Sequence, residues 1–293
     1  IHSHSGHLPH FFSQFQNIAP MIVTPHGESK GATRIWKRAK NKNITESLSL
    51  LSSRVIEFGE KISLKKADRL LPVSRFVLEQ INKGYGLDIS HKARVVYNGV
   101  DTSFFVPEDR KASKEATIIF VGRFYAIKGF DVFVEAASIL MQHGYDVKLL
   151  LLGRGNTKQV KKLLSALPQN SYSVIGKVSY HDMPKIYNQS DVVVVSSRYE
   201  ACPGVVMEAM SCGKVVIASR VGGILEIIQD GYNGILFQSE NSKELASKIV
   251  DVIDGRVDVE RIGRNARKTV VEQFDWKIGA KQVYEEYLKI VGR

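Results

Sequence analysis

Between Thr117 and Phe237, short and almost continuously apolar runs alternate with stretches of helical periodicity, and that alternation limits the fold more than any other feature. The runs are Thr117–Gly122 (TIIFVG), Val147–Gly153 (VKLLLLG), Tyr172–Val178, Asp191–Ser197 (DVVVVSS), Lys214–Ser219 and Gly234–Phe237. A strand with one wet face alternates apolar and polar residues. Most of these do not, so both of their faces need cover. The intervening segments supply it. Phe130, Phe133, Val134, Ala137 and Leu140 recur at helical spacing, and further helices are predicted near Lys158–Leu167, Met183–Gln189 and Val205–Cys212. Strand–helix alternation of this kind predicts a parallel sheet with helices on both sides, a doubly wound α/β domain.

After this series the chain turns helical. Asn241 and Glu244 read as an N-cap and its N3 partner before a helix over 242–254. Helices over 257–273 and 275–291 follow. In the last, Trp276, Ala280, Val283, Tyr284, Tyr287, Leu288 and Val291 form one apolar face, expected to pack inward. The first hundred residues are sparser. Strands are predicted at Pro20–Thr24, Arg69–Ser74 and Ala93–Tyr97, with a long helix over Asn43–Ala67. Residues 102–116, with one proline and six charges, read as the connection between two domains.

Two domains also suit a chain of 293 residues. With 44% hydrophobic and 24% charged residues, wholesale disorder is excluded. No apolar run approaches the roughly 18–20 residues of a membrane-spanning helix. Two cysteines, Cys202 and Cys212, cannot form a disulfide scaffold, which favours a reducing, cytoplasmic setting. The net charge of +11 admits anionic partners: nucleic acid, an anionic membrane or a phosphorylated small molecule. Its densest part is Lys30, Arg34, Lys37, Arg38, Lys40 and Lys42, with no acid among them and with Ile35 and Trp36 interleaved. That pattern reads as a solvated loop, or as a peripheral contact with anionic lipid or with the phosphate of an acceptor. Nucleic acid is disfavoured, because no aromatic stacking motif accompanies the charge.

Chemistry concentrates after two of the strands. Glu200 and Glu208 flank Ala201–Met207, which carries Pro203 and Gly204 at the start of a helix. The N–H groups of Gly204, Val205 and Val206 would be unpaired there and would suit a diphosphate. Glu208, one turn in, suits ribose hydroxyls, and Glu200 lies nearer the reacting group. Arg123, at the end of another strand, and Lys128, before the next helix, would meet the same crevice. A guanidinium and an ammonium suit two phosphates. Alternatively, each pair is an ordinary solvated surface pair. No Asp-x-Asp occurs. The histidines at 2, 4, 7 and 10 are close enough to suggest a metal, but no cysteine or acid among them completes a site, and His4 reads better as lining a cleft.

Ser197–Gly223 (SRYEACPGVVMEAMSCGKVVIASRVGG), with its E-x7-E spacing, resembles the signature of glycosyltransferase family 4. Val121-Gly122-Arg123 with Lys128-Gly129, DRLLPVS at 68–74, VYNGVDTSFF at 96–105 and Thr24-Pro25-His26-Gly27 resemble further family elements. The resemblance covers nearly the whole chain. It implies a GT-B fold, two Rossmann-like doubly wound domains facing a cleft. These would be a partial acceptor-side domain over 1–106, a donor domain over 107–274, and a helix over 275–293 crossing back to the first.

It implies a retaining transfer from a UDP- or GDP-linked sugar to a sugar or lipid-linked acceptor, in polysaccharide or glycolipid assembly, without an essential metal or other cofactor. Arg123 and Lys128 would neutralise the leaving diphosphate. Glu208 would hold the ribose and Glu200 the transferred sugar. Lys177 and Val178 would meet the base through their backbone, and His26 the sugar or phosphate. The family's glycine-rich first strand–loop has no counterpart here, and Ile1–His4 resembles its later H-x-H strand, so the first βα units are expected to lie outside this sequence. Two rivals remain at this stage. A Rossmann oxidoreductase needs a third glycine that Gly153-Arg154-Gly155 lacks, and a non-catalytic nucleotide-sugar-binding fragment is the other.

Overall fold

The computed structural model describes residues 1–4, 19–27, 57–109, 115–155 and 157–292. The chain divides into two compact units, Ile1–Gly99 with Trp276–Arg293, and Val100–Asp275. The basic stretch 30–42, His7, His10 and most of the long helix expected over 43–67 lie outside the described residues. Residues 57–66 of that helix are described and are helical.

The larger unit holds a six-stranded sheet, parallel throughout: β4 (Ala116–Val121), β5 (Val147–Leu152), β6 (Tyr172–Ile175), β7 (Val192–Val195), β8 (Val215–Ser219) and β9 (Ile235–Phe237). Their order is β6-β5-β4-β7-β8-β9. The chain therefore steps outward from β4 to β6, then returns to the other side of β4. This reversal leaves a crevice between the carboxyl ends of β4 and β7, the place where open α/β sheets bind ligands. All four valines of β7 and all five residues of β8 are buried, which is why their runs carry no alternation. The expected strand at 172–178 stops at Ile175. It is an edge strand with Ser173 and Val174 exposed, and it lacks the neighbour that would extend it.

Residues 102–109 are not a free connection. Asp101 Oδ1 accepts the N–H groups of Ser103 (3.0 Å) and Phe104 (3.1 Å), folding a tight turn. Phe105 is fully buried. Arg267 donates to the carbonyls of Thr102 (2.7 Å), Phe105 (2.6 Å) and Ser211 (2.8 Å), clamping this segment to the larger unit. The boundary accordingly falls before Val100, and residues 100–106 pack with the larger unit.

The smaller unit contains a parallel sheet ordered β1 (His2–Ser3), β2 (Ile22–Val23), β3 (Arg69–Leu70) among its described residues. The strands expected at 20–24 and 69–74 shrink to these two-residue cores, and 93–97 reduces to a single bridge, Leu70 to Ala93. A helix not anticipated from the sequence, α1 (Arg75–Tyr85), is capped by Ser74, whose side chain accepts from the N–H of Val77. It ends at Gly86 with φ 60°, a left-handed position suited to glycine.

Of the apolar face expected for the helix Trp276–Val291, only part turns inward. Val283 and Ile290 pack against Ile22, Leu71 and Val96, while Trp276 (47%), Tyr284 (61%), Leu288 (56%) and Val291 (80%) are exposed. The cause is electrostatic. Glu286 is buried, with Oε1 accepting from Arg94 Nη1 (2.9 Å) and Lys289 Nζ (2.7 Å), and Oε2 lying 3.1 Å from Arg69 Nε. Three cations on one carboxylate fix which face meets the sheet. Gly279 allows close approach, since a Cβ there would lie 3.2 Å from the Tyr97 carbonyl oxygen. Burial alone would raise the Glu286 pKa, but hydrogen bonds from Lys289 and Arg94 and the charges of Lys289 and Arg69 bring it below the usual range. Its contribution to stability is thus present above the ordinary carboxylate pKa and lost as pH falls through the lowered one. Glu286→Ala is expected to cost about 2 kcal/mol at neutral pH, less than a fully buried pair because both arginines reach solvent. Thermal unfolding of variant and wild type should converge as pH drops below about 4.

Candidate active site

The loop that leaves β4 is held from several sides. Gly122 N–H donates to Leu152 O (2.9 Å) and Phe124 N–H to Arg154 O (2.8 Å). The Phe124 ring stacks on Phe130 with centroids 4.4 Å apart, anchoring the loop in the core. A single 3-10 turn, Ala126–Lys128, then leads to Gly129 at φ 64°. A Cβ on Gly129 would sit 1.8 Å from the Ser196 carbonyl oxygen, so only glycine lets this loop lie against the end of β7. Arg123 is exposed, its guanidinium 5.7 Å from the centre of the Tyr125 ring. The Lys128 stem passes beside Gly122, and Nζ donates to Glu200 Oε1 at 2.6 Å.

Glu200 is buried after β7. Its Oε1 also accepts from Ser197 Oγ at 2.7 Å, so the desolvated carboxylate has both a counter-ion and a hydroxyl donor. The Glu200 carbonyl accepts from Gly223 N–H at 2.9 Å, fixing the loop that precedes α2 (Gly204–Ser211). Pro203 is the N-cap of α2 and not its first helical residue. Met207 N–H, bonded to Pro203 O at 3.5 Å, begins the ladder, so the N–H groups of Gly204, Val205 and Val206 lie ahead of it. Glu208 folds back towards that end, with Oε1 3.6 Å from where a Gly204 Cβ would stand. Its Oε2 accepts from Tyr187 OH at 2.7 Å. Burial raises the Glu208 pKa and the Tyr187 bond opposes the rise. Burial, with the charge of Glu208 next, pushes the Tyr187 phenol well up, so the proton of this bond stays on Tyr187.

The structure therefore brings Lys128 and Glu200 into one ion pair and sets Glu208 against the first turn of the same helix. Lys177 and Val178 follow β6, two strands from β4, beyond the strand's shortened end. His26 belongs to the smaller unit, after β2. There the rings of His2 and His4 stack at 4.4 Å and those of His4 and His26 at 5.7 Å. His2 Nε2 lies 2.8 Å from Thr24 Oγ1. Burial first, then neighbouring His4, lowers the pKa of both His2 (to about 4) and His26, which keeps these rings neutral at neutral pH. Among the described residues no group of three or more His, Cys, Asp or Glu is arranged to hold a metal ion. Cys212 is buried and its thiol pKa is pushed up to about 12 by burial, so it is an unreactive core residue. Cys202 is half-buried.

Two participants escaped the sequence reading. Ser197 and Tyr187 touch the two glutamates directly, yet one is a serine at a strand end and the other an apolar-face residue of a short helix. The spacing Ser197 to Glu200 was the only available hint. Gly129→Ala should displace the Lys128 turn and destabilise the larger unit by more than the roughly 1–2 kcal/mol of a left-handed alanine alone, read as a fall in the thermal midpoint.

Profile comparison matches residues 101–269 to Glycosyl transferases group 1 and residues 1–104 to Glycosyltransferase Family 4. An uncharacterized glycosyltransferase of Methanocaldococcus jannaschii is 30% identical over 248 residues, covering 83% of this chain and 66% of the relative. A D-inositol 3-phosphate glycosyltransferase of Paenarthrobacter aurescens is 30% identical over 311 residues, covering 99% of this chain and 72% of its own length. The chain thus spans about two thirds of the length of such relatives. Among solved structures, Anabaena HepE in complex with UDP-glucose superposes with a TM-score of 0.79 at 19% identity, over 99% of this chain and 78% of HepE. The two Rossmann-like units, the strand order and these matches agree: the chain belongs to the group 1 glycosyltransferases of GT-B fold.

Proposed function

We propose that the larger unit binds a nucleoside-diphosphate sugar and that the protein transfers the sugar with retention to a sugar or lipid-linked acceptor. The observation that carries this reading is the Lys128–Glu200 pair at the β4/β7 crevice, beside the first N–H groups of α2, which precede its hydrogen-bond ladder. The diphosphate lies over Gly204, Val205 and Val206, with Arg123 on the open side. It draws Lys128 from Glu200, and Glu200 then accepts from a sugar hydroxyl. Glu208 accepts from the ribose, with Tyr187 holding the carboxylate in place. Lys177 and Val178 meet the base through their backbone. The neutral ring of His26 suits a hydroxyl or phosphate oxygen.

In the reaction, the bond from the anomeric carbon to the diphosphate oxygen breaks and a bond to the acceptor oxygen forms on the same face. The acceptor proton passes to the departing phosphate. Fixed cations stabilise the charge that develops there, so the reading needs no metal. That solved HepE carries UDP-glucose supports the donor class. A role in polysaccharide or glycolipid assembly is consistent with a cytoplasmic protein touching an anionic membrane through residues 30–42. Among the described residues no helix is long and apolar enough to cross a membrane.

Titration calorimetry with UDP and GDP tests the donor site. Arg123→Ala and Lys128→Ala should each weaken binding roughly tenfold or more, as loss of a charged hydrogen bond does. Unchanged affinity in both would refute the reading. Nucleotide binding without sugar transfer would instead favour a non-catalytic binder. Tyr187→Phe removes the bond that favours ionised Glu208, so the Glu208 pKa should rise further. The pH below which nucleotide affinity falls should move up in that variant, measured as Kd against pH.

A further inference from the structure

We infer that Arg198 is a positioning residue that fixes Lys128 and so sets the grip on the diphosphate; this rests on the donor site proposed above. Arg198 lies just beyond β7, two residues before Glu200. Its guanidinium forks onto Asp131, Nη1 to Oδ1 and Nη2 to Oδ2, both at 2.8 Å. Nη1 also donates to Ala126 O at 2.5 Å, and Nε donates to Glu240 Oε1 at 2.9 Å. Its backbone N–H donates to Ile127 O at 2.9 Å. One residue thus ties down the first two residues of the turn Ala126–Lys128 and the first turn of the helix that follows.

Neighbouring Ser196 completes the frame, its Oγ donating to Gly129 O at 2.8 Å. Residues 126, 127, 129 and 131 are all bonded to 196 or 198, while the Lys128 ammonium reaches to Glu200. A three-residue 3-10 turn has poor hydrogen-bond geometry of its own and needs such external bonds to hold one shape. These bonds occupy four of the five guanidinium N–H groups, so Arg198 acts on the turn and not on a phosphate. Glu240 is the one non-glycine residue with positive φ (68°) among those described, and its bond to Arg198 links the loop after β9 into the same frame. A lysine could replace the charge but not the fork.

The test is UDP binding by calorimetry, with thermal midpoints, on the full chain and on Arg198→Ala, Arg198→Lys, Asp131→Asn, Lys128→Ala and the Arg198→Ala/Lys128→Ala double variant. Arg198→Ala should weaken binding by up to the roughly tenfold expected of Lys128→Ala, because it acts through that side chain. Arg198→Lys should fail to restore it, and Asp131→Asn should give a smaller loss. With Lys128 already removed, Arg198→Ala should cost little more, because it acts through that side chain. An equal loss with and without Lys128, or wild-type affinity in Arg198→Ala, overturns the inference. Should Arg198→Ala not fold, wild-type affinity in both Arg198→Lys and Asp131→Asn overturns it equally. Wild-type affinity in Lys128→Ala overturns the inference too, and only if Arg123→Ala also leaves affinity unchanged does the donor-site reading fall, which separates the two failures.

Discussion

The ion pair between Lys128 and Glu200, 2.6 Å apart on the ends of adjacent parallel strands, is the constraint around which the larger unit is arranged. Glu200 is buried, and a desolvated carboxylate is tolerable only with a cation and further donors at hand. Lys128 supplies the first and Ser197 the second. For the pair to exist, the loop after β4 must come within contact of the chain leaving β7. Gly129 makes that possible by having no Cβ, and the Phe124–Phe130 stack anchors the other half of the loop in the core. A single missing side-chain carbon thus determines whether charge can be paired at the crevice.

Much of this was legible in the chain itself, for a physical reason. Strands covered on both faces are mostly apolar, so β4, β5, β7, β8 and β9 announce themselves within a residue or two, Lys148 being the one exposed charge in them. The motif residues after them inherit that precision. The edge strand β6 is different and ends three residues early, and β2 and β3 are two-residue cores. The helix Arg75–Tyr85 was overlooked although Ser74 and Gly86 bracket it, its apolar positions Val77, Ile81 and Tyr85 being thinly spread among polar ones.

The larger misreading concerned the helix Trp276–Val291. Its hydrophobic periodicity is genuine, yet Glu286 faces the sheet because Arg69 and Arg94, about two hundred residues earlier, stand ready to receive it. Periodicity reports what a helix would bury alone, and it is blind to a charge paired from a distant strand. The same blindness hid the clamp of Arg267 on Thr102 and Phe105, which turned an apparent connection into part of the fold. Both contacts join polar residues far apart in sequence, and neither has a local signature.

That distinction bears on how the crevice works. Arg123 lies exposed against an aromatic ring, whereas Lys128 is bound to Glu200. On the proposed donor reading, the two cations are unequal in what a diphosphate must do to reach them. Arg123 has no ion pair among the described residues. Meeting Lys128 exchanges a carboxylate for a phosphate oxygen, an exchange of one anionic partner for another in a partly desolvated place, so the electrostatic cost of separating the pair is largely offset. The carboxylate released by that exchange keeps the Ser197 hydroxyl but has lost its cation, so it can accept from a further hydroxyl. A sugar attached to the same diphosphate offers hydroxyls within the reach that the diphosphate itself fixes. Donor phosphate and donor sugar would in this way be sensed by one ion pair, the first opening it and the second satisfying what is left.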